Sequence, residues 1–225
     1  MAEVTERFRF FDREEDLLVT ERAHLPHWAQ AGTLCFLTWR TWDSMPWKVV
    51  EAWATERKGW LLQHEIDPCK ENWRERLTQL APAVRQEFHR MFSARWEESL
   101  DECRGTCPLR RPELAGVVVD SLRFFDGDRY FLTDFVVMPN HVHVLAAFLS
   151  PEQMLKQCAS WKHYTAVQIN RALGRRGHFW EDDAFDHLVR RPEQFEYLRK
   201  YVADNPRRAG LRSDDFVHYT RVNLE

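Results

Sequence analysis

The chain has 225 residues, of which 44% are hydrophobic and 30% are charged, and its formal net charge is −3. A chain of this kind can bury a real core, as one domain with an insertion or as two small domains. Five cysteines, an odd number, argue against a disulfide framework. No apolar run reaches the roughly 18 residues that a membrane span needs, so we expect a soluble, cytoplasmic protein with no membrane partner.

Positive charge is concentrated in the C-terminal half. Lys156–Arg212 contains 12 Lys and Arg against 7 Asp and Glu, whereas Met1–Arg104 contains 15 against 19. A basic face that binds phosphates would give this distribution, and so would a solvated helical surface. Charge alone favours the solvated surface.

The first predicted core element is a strand over Thr33–Thr41, which is β-branched and aromatic and follows Gly32. Apolar residues then recur at helical spacing through residues 47–100. We interpret residues 47–105 as a helical hairpin inserted after this strand, within a single domain that spans residues 1–225.

The remaining elements alternate between helix and strand. Proline at a first turn favours a helix start, and glycine favours a helix end. On these signals the chain continues with a helix from Pro112 to about Phe125, strands over 130–138 and 141–148, a helix from Pro151 to Gly174, a strand over 185–190, a helix from Pro192 to about Val202, and a tail over about 205–225.

This order of elements predicts the fold class. A βαββαβ core is the plan of the ferredoxin-like α+β fold, an antiparallel sheet with helices on one face. We therefore expect this fold, with strands 130–138 and 141–148 forming a hairpin and a helical insertion after the first strand.

Two histidines stand out on the strand over 141–148. Alternate side chains of a strand share a face, so His141 and His143 lie side by side, while Val142 and Val144 point the other way into a core. The pair is a candidate for two metal ligands, although alternate histidines on a strand are more often structural. We expect the next helix to pack across the sheet so that its edge overhangs the pair.

Tyr164 and Gln168 lie four residues apart on that helix and are therefore neighbours. Two imidazoles and the Gln168 side-chain oxygen would leave open positions on a divalent metal, which suits Mg²⁺ or Mn²⁺ and also admits Co²⁺, Ni²⁺ or Zn²⁺. Tyr164 would be the nucleophile in phosphoryl transfer. A covalent phosphotyrosine keeps the bond energy for strand transfer.

Four motifs resemble successive motifs of the REP-associated tyrosine transposases, a family of single-tyrosine HUH endonucleases: VVMPNHVHVL, SWKHYTAVQIN, HFWEDDAFDHLVR and YLRKYVADNPRRAGL. The resemblance covers roughly residues 24–212. It implies an RRM-like palm, metal ligands at His141, His143 and Gln168, and a nucleophile at Tyr164 that takes the 5′-phosphate of cleaved single-stranded DNA. It also implies hairpin DNA of the REP type as the partner. The protein would be a monomer or a homodimer, and in a dimer that exchanges helices Tyr164 would act on the metal site of the partner chain.

Several basic residues near these motifs are candidate DNA contacts. They would bind phosphates, or they form a solvated helix face. They are Lys162, His163, Arg171, Arg175 and Arg176, with Arg190, which could also form a structural ion pair.

The sequence thus predicts a metal-dependent DNA endonuclease and strand transferase. One alternative is a domesticated protein that binds single-stranded nucleic acid on its RRM-like sheet without cleaving it. Another is a metal-dependent phosphodiesterase that uses water as the nucleophile and forms no covalent intermediate.

Overall fold

A computed structural model describes residues 7–12, 14–22, 25–70, 73–182 and 185–224. The chain divides into two compact units, Met1–Trp42 with Thr106–Glu225, and Asp43–Gly105. In chain order the described elements are β1 (Leu18–Arg22), β2 (Leu25–Ala29), β3 (Leu34–Arg40), α1 (Trp47–Gln63), α2 (Trp73–Gln79), α3 (Pro82–Phe88), a π-helical turn (His89–Ala94), α4 (Arg95–Asp101), α5 (Pro112–Arg123), β4 (Tyr130–Val137), β5 (His141–Phe148), α6 (Pro151–Ala172), β6 (Phe185–Leu188), α7 (Pro192–Arg208) and β7 (Val217–Thr220).

The first unit is built on a five-stranded sheet in the order β6-β3-β5-β4-β7, with every neighbouring pair antiparallel. The four strands β6-β3-β5-β4 belong to the run β3-α5-β4-β5-α6-β6, which is the βαββαβ core of the ferredoxin-like plan. The predicted α+β fold class is therefore confirmed. β7 extends the sheet at the β4 edge, and β1 and β2 pair in a separate hairpin.

Helices α5 and α6 cover one face of this sheet. The apolar positions of α5 (Leu114, Val118, Leu122) and of α6 (Met154, Trp161, Ile169) form one core with the alternate positions Val142, Val144 and Ala146 of β5. The Ser150 side chain caps α6 by accepting a hydrogen bond from the Gln153 backbone N–H at 3.2 Å. These two crossover helices lie on the same face, as the fold plan requires.

Helix α7 covers the opposite face. Its apolar residues, among them Phe195 and Val202, pack on Phe36, Leu145 and Ala147. The helix continues to Arg208 and includes Pro206, beyond its predicted end at about Val202. The helix thus carries the buried Asn205 over the sheet, although a proline inside a helix removes one backbone hydrogen bond and crowds the preceding turn.

A polar network ties β7 and α7 to β4. The buried Asp134 carboxylate of β4 pairs with Arg199 of α7 at 3.1 Å, and it accepts a hydrogen bond from the Thr220 hydroxyl. Arg199 also donates to the Thr220 hydroxyl at 2.8 Å. Residues 205–224, expected to form a tail, thus include the end of α7 and a fifth strand.

The second unit covers almost the same residues as the predicted insertion. It contains four α-helices and the π-helical turn instead of a two-helix hairpin. Trp60, Leu61, Ile66, Leu77 and Phe88 form its core. Within the described residues of the chain, no helix is both long and apolar enough to cross a membrane.

Candidate active site

The histidine pair lies on β5, the central strand of the sheet. Thr38 is the cross-strand neighbour of His143, and Arg40 that of His141. The two imidazoles are 0% and 2% exposed, and their ring centroids are 4.7 Å apart. Because β5 is paired on both sides, the two side chains are held in fixed positions on one face.

One nitrogen of each ring is fixed by a hydrogen bond within the sheet. Nδ1 of His141 lies 2.7 Å from the Asn140 side-chain oxygen, which can only accept, so this nitrogen carries the proton. Nδ1 of His143 lies 2.7 Å from the Thr38 hydroxyl. Both Nε2 atoms are buried and meet no hydrogen-bond partner among the residues that the structure describes. Two such nitrogens side by side are suited to bind a metal ion.

Both histidines are held neutral. Burial lowers the pKa of His141 to about 3, and an interaction with the Asn205 side chain opposes this shift. Burial also lowers the pKa of His143 well below its ordinary value, and the charges of His141 and Arg208 add to this effect. Neutral imidazole is the form that ligates metals, so neither histidine needs to lose a proton before it binds a metal near neutral pH.

The side chains that face the pair come from α7. The Tyr201 ring lies 5.3 Å from the His143 ring and 5.9 Å from the Phe36 ring. Asn205 is fully buried and interacts with His141. Tyr201 and Asn205 are four residues apart and therefore project from the same side of the helix.

Tyr164 and Gln168 do not face the histidine pair within the chain. They lie on α6, which packs on the face formed by Val142 and Val144, whereas the histidines point to the other face. The expectation that the edge of α6 overhangs the pair is therefore wrong. The physical reason is strand alternation, because a helix that covers the valines cannot also cover the histidines between them.

Tyr164 instead lines a shallow groove between α5 and α6. The side chain is 50% exposed and shares the groove with Phe124, Gln157 and Ser160, among others. Gln168 lies one turn further along α6 and is half-buried.

The side chains of the predicted DNA contacts differ in how exposed they are. The Lys162 ammonium donates to the backbone carbonyls of Glu181 and Asp182 at 2.7 and 2.8 Å, so it secures the segment before β6. Arg175 is partly buried, donates to Asn170 at 2.8 Å and lies over the Phe179 ring. The other four side chains are exposed: His163, Arg171, Arg176 and Arg190.

Tyr201 and Asn205 were missed at the sequence level, although a signal existed. The sequence has a tyrosine with an amide residue four positions later not only at Tyr164 and Gln168 but also at Tyr201 and Asn205, and again at Tyr219 and Asn223. The crossover helices of a βαββαβ unit must cover the apolar face of the sheet, which Val142 and Val144 mark. The histidines must then face an element outside that unit, and α7 is such an element.

The donor set fits a divalent metal with open coordination positions. Among the described residues, no group of three or more His, Cys, Asp or Glu side chains is placed to hold a metal ion. The side chain of Asn205, which is buried and interacts with His141, would offer an amide oxygen as a third ligand beside His141 and His143. Mixed nitrogen and oxygen donors suit Mg²⁺ and Mn²⁺ and also admit Zn²⁺ or Co²⁺.

Comparisons with known proteins gave a structural likeness. No family model matches the chain, and no curated protein matches it. Among solved structures, a REP-associated tyrosine transposase bound to a REP hairpin is similar with a TM-score of 0.40 and 13% identity, over 86% of this chain and 74% of that chain. It bears the name of the family that the four motifs resemble. A likeness of this size carries no argument about activity, which has to come from the site itself.

Proposed function

We propose that the protein is a metal-dependent endonuclease and strand transferase for single-stranded DNA, with Tyr201 as its nucleophile. One observation carries the proposal: Tyr201 and Asn205 of α7 face two buried histidines whose Nε2 atoms have no described hydrogen-bond partner. The motifs that resemble the transposase family support the same chemistry.

His141, His143 and Asn205 would hold the metal. A bound divalent ion would polarise a phosphoryl oxygen and offset the charge of the transition state. The other ring nitrogens orient the two imidazoles for this role, because Nδ1 of His141 donates a hydrogen bond to the Asn140 side-chain oxygen and Nδ1 of His143 shares a hydrogen bond with the Thr38 hydroxyl.

Tyr201 would perform the covalent step. Its phenol oxygen loses its proton and attacks the scissile phosphorus, the bond to the 3′ oxygen breaks, and the 3′ oxygen leaves as a hydroxyl after taking up a proton. The 5′-phosphate then remains on the tyrosine, and the reverse reaction joins it to another 3′-hydroxyl. The Arg208 guanidinium, 5.2 Å from the Tyr201 ring, favours the negative charge that develops on the phenol oxygen.

The proposed substrate is a hairpin with a single-stranded flank, as the motif resemblance implies. The exposed side chains of His163, Arg171, Arg176 and Arg190 are the proposed phosphate contacts. Because such contacts do not depend on base sequence, they would supply affinity and positioning, not specificity.

The test uses a 3′-end-labelled REP-type hairpin oligonucleotide with Mn²⁺. The labelled fragment carries the 5′-phosphate at the cleavage site, so the wild-type protein should give an adduct that survives SDS. Tyr201→Phe should abolish the adduct. Tyr164→Phe, a matched control on α6, should retain it.

Three results would contradict the proposal. An adduct that persists in Tyr201→Phe and disappears in Tyr164→Phe would show that the nucleophile is Tyr164 of α6. Cleavage without any adduct would favour water as the nucleophile. Tight binding by the wild-type protein with no cleavage in Mg²⁺ or Mn²⁺ would favour a binding module.

A further inference from the structure

A buried arginine lies beside the histidine pair. Arg40 is the last residue of β3 and the cross-strand neighbour of His141. Cross-strand neighbours share a face of the sheet, so Arg40 lies on the histidine face, while the preceding Trp39 belongs to the core under α6. Arg40 is only 6% exposed. The edge of the candidate site therefore carries a buried guanidinium.

A carboxylate holds this arginine from one side. Nη2 of Arg40 lies 3.0 Å from Oε2 of Glu181, and the Glu181 side chain is 36% exposed against 7% for that of Arg40. The Glu181 side chain is therefore exposed to solvent, whereas the Arg40 side chain is buried.

The segment that carries Glu181 is attached firmly to the end of β3. The Glu181 N–H donates to the Arg40 carbonyl at 2.9 Å, and the Trp42 N–H donates to the Phe179 carbonyl at 3.1 Å. The Lys162 ammonium donates to the Glu181 carbonyl at 2.7 Å. With its backbone fixed at these points, Glu181 can orient the Arg40 guanidinium.

We infer that Arg40 binds a non-bridging oxygen of the scissile phosphate and that Glu181 is the positioning residue for its guanidinium. The inference rests on the proposed function, since it places the phosphate beside His141. A planar guanidinium matches the geometry of a phosphate and is weakly hydrated enough to work in a buried site. No covalent step is added, because Arg40 contributes charge and hydrogen bonds only.

A purely structural ion pair explains the arrangement less well. Burying an arginine is costly, and a buried ion pair can often be replaced by apolar residues without loss of stability. The neighbouring positions of β3 on the same face include Leu34 and Phe36, which are apolar and buried. A charge retained beside the histidines is better explained by an anionic substrate group.

The test compares a phosphodiester with a neutral methylphosphonate at the cleavage position mapped with wild-type protein. We expect Arg40→Gln to slow adduct formation on the phosphodiester about 100-fold, as the loss of one transition-state donor does. On the methylphosphonate that lacks the contacted oxygen, the same substitution should cost less than about fivefold, because the contact is already gone. An equal loss on both methylphosphonate diastereomers and the phosphodiester would overturn the inference.

Matched variants separate this contact from a loss of structure. Arg221 pairs with Asp126 and lies beside Leu132 and Thr133 of β4. As a control at a distant site, Arg221→Gln should leave the rate of adduct formation within about twofold of wild type. Arg40→Lys keeps the charge and should lose about tenfold, because it loses the planar fork. Glu181→Gln should lower kcat with little change in KM, with partial recovery in Glu181→Asp. A wild-type rate in folded Arg40→Gln would refute the contact.

A binding measurement tests whether Arg40 contacts a DNA phosphate even if no adduct forms and the proposed function fails. In the Tyr201→Phe background, affinity for the hairpin is measured against salt concentration. A lost phosphate contact lowers the slope of log affinity against log salt by about 0.7 for a single strand, so Arg40→Gln should show this change, and Arg40→Lys and Arg221→Gln should not. An unchanged slope in Arg40→Gln would show that Arg40 contacts no phosphate.

Discussion

Replacing Asn205 by leucine should remove most of the thermal stabilisation that we expect Mn²⁺ to give to the protein. Asn205 is fully buried and interacts with His141, so its amide oxygen is the proposed third ligand beside the Nε2 atoms of His141 and His143. Gln168, half-buried on α6, lies against the other face of the sheet and should contribute nothing. Substitution of Asn205 should therefore reduce the stabilisation by Mn²⁺, whereas substitution of Gln168 should leave it unchanged.

The size of the effect follows from binding linkage. A ligand at about 100 times its Kd stabilises the folded state by about 2.7 kcal/mol, which for a chain of this length is about 5–10 °C in Tm. Loss of one of three protein ligands should weaken binding at least about 100-fold, or about 2.7 kcal/mol. At the same Mn²⁺ concentration the stabilisation would then fall to about 0.4 kcal/mol, a shift of about 1 °C.

The assay is differential scanning fluorimetry with and without Mn²⁺ on the full chain. Each variant is compared with its own metal-free state, because a leucine at a buried polar position also changes the metal-free Tm. Asn205→Asp keeps an oxygen ligand and should retain the shift, and Gln168→Leu should behave as wild type. A shift that disappears in Gln168→Leu and survives in Asn205→Leu would refute the ligand set.

Three further outcomes follow from contacts in the sheet unit. Asp134→Ala removes the buried carboxylate that pairs with Arg199, whose side chain is 21% exposed. It should lower the free energy of unfolding by about 3 kcal/mol in chemical denaturation, and a loss below about 0.5 kcal/mol would contradict the network. Trp161→Ala removes a fully buried ring that stacks on Trp39 at 6.0 Å and should cost about 3–5 kcal/mol in the same measurement. Arg171→Ala should lower the salt slope of hairpin binding by about 0.7, whereas Lys162→Ala, whose ammonium is bound by two carbonyls, should lower Tm and leave the slope unchanged.

The core fold could be predicted because its signals are local. Pro112 and Pro151 begin helices, and the strands on either side of Asn140 pair as the hairpin β4–β5. Alternation along β5 correctly separated the histidines from Val142 and Val144. The order of these elements is sufficient to identify the βαββαβ plan, and so the sheet topology follows.

The site could be predicted only in part, because its second half depends on long-range packing. His141 and His143 are side by side as expected, but the helix that faces them is set by which face each helix covers. Helix propensity at Asn205 and Pro206 favoured an ending, and packing over the sheet extended α7 instead. Nothing local distinguishes Tyr164 from Tyr201, since each has an amide residue four positions later.

The burial of Tyr201 bears on which product the proposed chemistry would release. Tyr201 is 8% exposed, and its ring packs edge-on against the stacked rings of His143 and Phe36. An ester formed there would be shielded from bulk water, and exclusion of water protects a reactive intermediate from hydrolysis. The bond energy would then be kept until a 3′-hydroxyl of DNA arrived, so the reaction would favour rejoining over a permanent break.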